Sequence, residues 1–259
     1  VLIDTHIHLD AAEFDGDREA VIAAARAAGV RGFVVPAVEA ANFDAVAALS
    51  GRHADICHAY GIHPMYVGGA HEDDLDRLDT CLAQGDAVAV GEIGLDYFVP
   101  DIDPARQERF FVAQLQLARK HALPVILHLR RAQDAILKQL RRIEVPGGIA
   151  HSFNGSRQQA QTFIALGFKL GFGGAMSYEG STRIRALAAE LPLDAIVLET
   201  DAPDIPPAWA RGCRNEPLNI VRYAELLARL RGLALEEVVA ATGRNARQAL
   251  PRLAPTCGG

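Results

Sequence analysis

From end to end the chain alternates between short apolar runs and longer stretches in which apolar residues recur every three or four positions. Eight runs read as strands: 2–8, 32–38, 56–62, 87–94, 125–129, 148–151, 168–173 and 195–201. They are rich in Val, Ile and Leu and mostly continuous rather than alternating, as in parallel strands covered on both faces. Helical periodicity fills the gaps at 18–28, 42–50, 73–83, 104–121, 133–142, from Ser156 onward, at 181–190, 217–231 and 236–250. Asp103 is placed to cap the fourth of these, with Pro104 at its first position and Phe111, Leu115 and Ala118 on one face. Ser156 with Gln159 three residues on has the spacing of a capping box.

Eight strands, each followed by a helix, in 259 residues is the count of a (β/α)8 TIM barrel, an α/β fold. The competing doubly wound open sheet usually carries a Gly-rich phosphate-binding turn after an early strand, and no G-x-G-x-x-G occurs there. With no linker, no low-complexity tract and no repeat longer than the strand–helix unit, one domain over 1–259 is expected.

Composition narrows the class. Half the residues are apolar and 22% are charged, which excludes a disordered chain, a collagen-like repeat and a disulfide-stapled mini-protein. Twenty-six basic against 32 acidic residues leave a formal charge of −6, so the chain does not coat nucleic acid by bulk electrostatics. Any nucleic-acid contact is expected at a local site. The opening Val1-Leu2-Ile3-Asp4 lacks a basic-then-apolar leader, and no uncharged apolar run approaches the roughly 18 residues of a membrane span. Cys57, Cys81, Cys213 and Cys257 are scattered, with no C-x-x-C pair. A cytoplasmic protein with reduced thiols and no membrane partner is the expectation. The pattern does not specify an oligomeric state.

The chemistry lies in isolated polar residues that end the apolar runs. His6 and His8, two apart, point to one side of the first strand. Glu92 interrupts the fourth run, His128 ends the fifth, His151 the sixth and Asp201 the eighth. A buried imidazole or carboxylate is costly unless it is paired or bound to a metal. Six such groups on five strands of one barrel converge on its C-terminal mouth, where barrel active sites lie. They are too many for one tetrahedral zinc and suit two neighbouring divalent ions, Zn, Mn or Mg, with Glu92 as the natural bridge. Such a pair activates water, which is hydrolytic chemistry.

These residues sit in longer motifs: Asp4-Thr5-His6-Ile7-His8-Leu9-Asp10, Gly61-Ile62-His63-Pro64, Gly91-Glu92-Ile93-Gly94-Leu95-Asp96-Tyr97, Pro124-Val125-Ile126-Leu127-His128, His151-Ser152-Phe153-Asn154-Gly155-Ser156, Leu198-Glu199-Thr200-Asp201-Ala202-Pro203 and Arg214-Asn215-Glu216-Pro217. Spread over nearly the whole chain, they resemble the TatD family of metal-dependent deoxyribonucleases among the amidohydrolase-like barrels. The resemblance implies that His6, His8 and Asp201 hold one ion, that His128 and His151 hold the other, and that Glu92 bridges them. It also implies Asp201 as general base. Three positions depart from the family pattern: Met65 in place of a His, Leu129 in place of a small polar residue, and Cys213 in place of a basic one.

Neighbouring residues extend the expectation. His63, just past the third strand, is a candidate to contact the scissile group or its leaving oxygen. Arg130, two residues past His128, either meets a phosphate or is a surface residue of the next loop. Asp4, Asp10 and Asp96 either orient imidazoles or cap loops; Glu199 reads as a buried structural partner. In the aperiodic segment 202–216, Trp209 either stacks a base or anchors the loop, and Arg211 and Arg214 are candidate phosphate contacts. The expected activity is a two-metal phosphodiesterase on DNA strand ends or a small phosphodiester. The alternative is a metal-dependent amide, ester or lactone hydrolase.

Overall fold

The continuous apolar runs pair as parallel strands. The computed structural model describes residues 1–253, with β1 (Leu2–Asp4), β2 (Val30–Pro36), β3 (Ile56–Ala59), β4 (Val90–Asp96), β5 (Val125–Arg130), β6 (Gly148–Ala150), β7 (Phe168–Phe172) and β8 (Ile196–Leu198). Strands β1 to β3 form one parallel ladder and β4 to β8 another. Two seams close them into a (β/α)8 barrel. Tyr60 bridges Val90, and the Gly91 N–H donates to the Tyr60 carbonyl at 2.9 Å. Between β8 and β1, the Thr5 N–H donates to Leu198 O at 3.1 Å and the Asp201 N–H to His6 O at 2.8 Å. Closure leaves no sheet edge for a stray strand to join.

Several ladders are shorter than the apolar runs, and the difference lies at the mouth. β1 stops at Asp4, although the chain stays hydrogen-bonded through Ile7 N–H to Val34 O and His8 N–H to Ala202 O. His6 and His8 therefore sit just past the strand rather than within it. β8 stops at Leu198, and Asp201 takes a left-handed backbone at φ 57. Side chains that must meet over the barrel axis require the backbone to leave the regular ladder, so each run's last residues become loop.

The described residues form nine α-helices: α1 (Arg18–Ala27), α2 (Phe43–Arg52), α3 (Glu72–Ala83), α4 (Pro104–Lys120), α5 (Gln133–Leu140), α6 (Arg157–Ala165), α7 (Thr182–Glu190), α8 (Asn219–Arg231) and α9 (Leu235–Ala249). Asp103 caps α4 by accepting from the Ala105 N–H at 2.9 Å, and Ser156 and Gln159 form the capping box of α6. No helix among the described residues is long and apolar enough to cross a membrane. Cys81 and Cys213 carry free thiols, and Cys257 lies outside the described residues.

Two apolar cores follow from strand alternation. Outside the barrel, Leu127, Ala150 and Leu170 pack with helix residues such as Phe111 and Phe163. Inside it, Ile3, Val34, Ile126, Ile149 and Val197 pack against Ala246, Ala249 and Leu250, so α9 plugs the bottom. Asn245 fixes that plug by donating to Leu193 O and Ile196 O at 2.8 and 2.7 Å. Ile126 and His128, like Ile149 and His151, are two residues apart on one strand path and face the same side. The imidazoles therefore stand on an apolar floor.

Candidate metal centre

Glu92 is the hub of the mouth. The β4 strand carrying it is buried throughout, and its N–H donates to Ala37 O at 2.9 Å. Its two carboxylate oxygens face different histidines. Oε2 lies 3.1 Å from His6 Nε2 and 3.7 Å from His8 Nε2. Oε1 lies 3.0 Å from His128 Nδ1, 3.5 Å from His63 Nε2 and 4.0 Å from His151 Nε2. Asp201 faces the same space from β8: Oδ1 is 3.7 Å from His6 Nε2 and 3.5 Å from His8 Nε2, and Oδ2 is 3.6 Å from His151 Nε2. The rings of His6 and His151 stack at 3.7 Å, and the His6 and His8 Nε2 atoms approach to 3.3 Å.

What lies behind each ring decides which nitrogen is offered to the centre. His128 Nε2 is 3.0 Å from Asp96 Oδ2, which accepts its N–H, so Nδ1 is the nitrogen turned to Glu92. His151 Nδ1 is 3.0 Å from Glu199 Oε1, and its Nε2 is the nitrogen that faces inward. Glu199 is buried, also accepts from the Ser152 N–H at 2.5 Å, and fills space left by Gly171, where a Cβ would run into its carboxylate. His63 is set the other way. Its Nδ1 accepts from the Met65 N–H at 3.2 Å, so the neutral ring carries its proton on Nε2 and points a donor, not a lone pair, into the site.

Charge follows the same division. Burial holds His63 down to about 3 and also lowers His6, so both rings are neutral at pH 7. Burial opposes a charge on His8, but the hydrogen bond and charge of Asp201 outweigh it and raise the ring to about 9. His128 is raised against burial by Asp96 and Glu92, and His151 by Glu199 and Asp201. Glu92 and Asp201 stay ionised, because the surrounding imidazoles overcome the cost of burial.

These donors fit a divalent cation. His6, His8 and Asp201 present atoms within 4.8 Å of one another, as do His6, Glu92 and His151, and His63, Glu92 and His128. Nitrogen and carboxylate donors without sulfur suit Zn, Mn or Mg. Two ionised carboxylates among inward-facing imidazole nitrogens, over an apolar floor, form a site whose charge a cation would neutralise.

The outlying residues divide. Asp96 backs an imidazole, whereas Asp4 accepts from the Thr200 N–H and hydroxyl at 2.9 and 2.6 Å, and Asp10 accepts from Asn42 at 2.6 Å; these two tie loops together. Arg214 is committed to the protein: it donates to both Asp17 oxygens at 2.8 and 2.7 Å and to Glu216 at 2.9 Å, and it stacks on Phe14. Trp209 donates to Asn219 at 3.0 Å, with the Arg222 guanidinium 3.9 Å over its ring, as a loop anchor does. Arg130 is exposed and rests on Phe98. Sequence reasoning passed over the exposed aromatics of the mouth, Tyr66, Tyr97 and Phe98; adjacent aromatics just past the end of a strand, in a chain only 6% aromatic, were the available signal.

Comparisons with known proteins identify the family. The family model described as "TatD related DNase" matches residues 3–251. The uncharacterized metal-dependent hydrolase YjjV of Escherichia coli (strain K12) is 41% identical over 246 residues, covering 94% of this chain and 95% of that protein. A crystal structure of the YjjV TatD homolog superposes with a TM-score of 0.93, at 40% identity over 96% of this chain and 98% of the other. The protein named 3'-5' ssDNA/RNA exonuclease TatD from Cronobacter turicensis is 34% identical over 253 residues, covering 95% and 96%. The chain belongs to the TatD family of metal-dependent hydrolases.

Proposed function

We propose that the protein is a two-metal phosphodiesterase acting on single-stranded DNA ends, in one cytoplasmic domain spanning 1–259. The observation that carries the two-ion reading is the split of Glu92: Oε2 faces His6 and His8, and Oε1 faces His128 and His151. His6, His8 and Asp201 would hold one ion, His128 and His151 the other, with Glu92 shared between them. The nuclease reading is supported by the relative named as an ssDNA/RNA exonuclease and by Arg130, which is exposed just beyond His128.

Divalent ions bound there supply Lewis acidity toward a phosphoryl oxygen and toward the attacking water. The protein's own groups do the rest. Asp201, held ionised, accepts the proton of that water at Oδ2. His63 Nε2–H donates to a phosphate oxygen as charge builds on it; because the ring is neutral across physiological pH, it does so without titrating. Asp96 and Glu199 back the rings of His128 and His151 and orient them toward the centre. Arg130 meets an adjoining phosphate, and Arg214 and Trp209 hold the 202–216 loop in place.

Hydrolysis of a 3'-labelled single-stranded oligonucleotide by Zn-, Mn- or Mg-loaded protein tests this, beside a phosphomonoester, an amide and a lactone. Oligonucleotide cleavage that Glu92→Ala abolishes is expected. Cleavage untouched by Glu92→Ala sinks the proposal, and turnover of the amide or lactone alone reassigns the centre to the amidohydrolase alternative.

A further inference from the structure

The rim of the barrel mouth is chemically lopsided. The loops after β1, β2 and β8 carry Asp10, Glu13, Glu39 and Asp204. Together with burial, these acids raise the Tyr66 hydroxyl, which places Tyr66 within their common field. The loops after β4 and β5 present Tyr97, Phe98, Arg130 and Arg131, all exposed, next to the centre, with Asp101 and Asp103 farther along the first loop toward α4. Four of the six large hydrophobics exposed among the described residues, Met65, Tyr66, Tyr97 and Phe98, flank the mouth, whereas a soluble surface tends to scatter them.

Phe98 organises the basic side. The Arg130 guanidinium lies 3.7 Å from its ring centroid and that of Arg131 lies 4.7 Å away. A cation–π contact holds a guanidinium plane without using its N–H donors. Neither arginine is engaged in an ion pair or hydrogen bond through its guanidinium among the described residues, in contrast to Arg214. The ledge is tied to the metal centre. Phe98 and Val99 donate their N–H groups to Asp96 Oδ1, and the other oxygen of Asp96 backs His128. Tyr97 donates to the Arg130 carbonyl at 2.9 Å, and Arg130 lies two residues, roughly 7 Å of strand, beyond His128. A polyanion approaching this mouth is repelled on the acidic side and met on the other by two guanidiniums held over an exposed aromatic ring.

We propose that Phe98, Arg130 and Arg131 form a stacking ledge for the nucleobase next to the scissile phosphate of a single strand, making the enzyme select base-bearing strands over small phosphodiesters. The proposal rests on the phosphodiesterase reading above. Bases of any identity stack on an aromatic face or a guanidinium plane, so the ledge confers preference for a nucleic-acid strand without reading its sequence. The guanidinium donors face the neighbouring phosphates.

The test compares metal-loaded wild type, Phe98→Ala, Phe98→Trp and the Arg130→Gln/Arg131→Gln double variant. Substrates are a single-stranded thymidine oligonucleotide, the same strand with abasic residues at its 3' end, and bis(p-nitrophenyl) phosphate. Wild type is expected to favour the base-bearing strand by about tenfold in KM, within the range of one base–aromatic stack. Phe98→Ala raises KM for that strand about tenfold, with kcat moving far less, and erases the preference over the abasic strand; Phe98→Trp keeps it. The arginine pair raises KM for both strands and flattens its salt dependence. A Phe98→Ala protein that retains the wild-type ratio between intact and abasic strands overturns the ledge while leaving the nuclease reading standing. Wild type that cleaves only the small diester or neither strand overturns the nuclease reading itself, and the ledge with it.

Discussion

Glu199 Oε1 lies 3.0 Å from His151 Nδ1, on the side of the ring away from Asp201, whose Oδ2 is 3.6 Å from Nε2. One buried imidazole thus lies between two carboxylates, Glu199 behind it and Asp201 on the side of the centre. Partners behind a metal-binding histidine commonly contribute about 10- to 100-fold in affinity. Glu199→Gln is expected to fold and to bind its ion that much more weakly in a chelator competition titration, because the amide accepts a hydrogen bond but brings no charge. Glu199→Ala also orphans the Ser152 N–H and leaves a hollow at Gly171, so its thermal midpoint falls as well, at a cost of about 1–3 kcal/mol. An unchanged affinity in Glu199→Gln would reduce the contact to packing.

His63 and His128 are neighbours with ring centroids 4.2 Å apart, yet they turn different nitrogens to the centre, His63 its Nε2–H and His128 its Nδ1. If His63 is a donor to the phosphate rather than a ligand, His63→Ala binds the wild-type equivalents of metal and loses about 10²- to 10³-fold in kcat. His63→Gln, which restores an N–H donor, recovers part of that loss. Elemental analysis of the dialysed variants is decisive: one equivalent missing from His63→Ala would place the ring among the ligands.

The protonation pattern predicts how metal affinity depends on pH. His8, His128 and His151 are raised above the ordinary value of 6.5, His8 to about 9, so they carry protons at neutral pH that a bound ion must expel. Affinity therefore climbs as pH rises from 6 through 9, with protons released in calorimetric titrations repeated in buffers of different ionisation enthalpy. His6 and His63, both lowered, release none at neutral pH. Stability of the ion-stripped protein runs the other way. A histidine with a raised folded-state pKa contributes fully below its unfolded value and loses that contribution as pH rises through the folded one. Melting curves with and without metal should separate increasingly between pH 7 and 9.

Much of this centre was legible because barrel geometry turns sequence position into spatial position. A lone polar residue at the end of an apolar run marks the mouth, and His6, His8, Glu92, His128, His151 and Asp201 were found by that rule. The rule is silent on what stands behind each ring. Glu199 and Asp96 face different nitrogens of their histidines, a matter of rotamer and of the room left by Gly171, neither of which has a period in sequence. Arginine was the least legible type. Arg130 and Arg214 look alike in the chain, but Asp17, the carboxylate that engages Arg214 with both oxygens, is 197 positions away. Phe98 escaped notice because an exposed aromatic has no burial pattern to announce it.

Arg214 offers a direct check on the long loop after β8. Its guanidinium takes Asp17 side-on, reaches Glu216, donates to the Glu13 carbonyl at 2.6 Å and lies 4.6 Å over Phe14, clamping the end of the 202–216 segment to the start of α1. The fork geometry and the aromatic face distinguish it from an ordinary surface pair. Lysine keeps the charge but neither the fork nor the planar stack, so Arg214→Lys should behave nearly as badly as Arg214→Ala. Both are expected to lower the melting temperature by a few degrees and to speed proteolytic nicking within 202–216, since the clamp opposes local opening. If the residue acts only as this clamp, the KM for a single-stranded oligonucleotide moves far less in Arg214→Lys than in Arg130→Gln. A KM that rises in Arg214→Lys with no change in melting or nicking would instead place the guanidinium on the substrate, and the Asp17 pair would then be an arrangement the strand displaces.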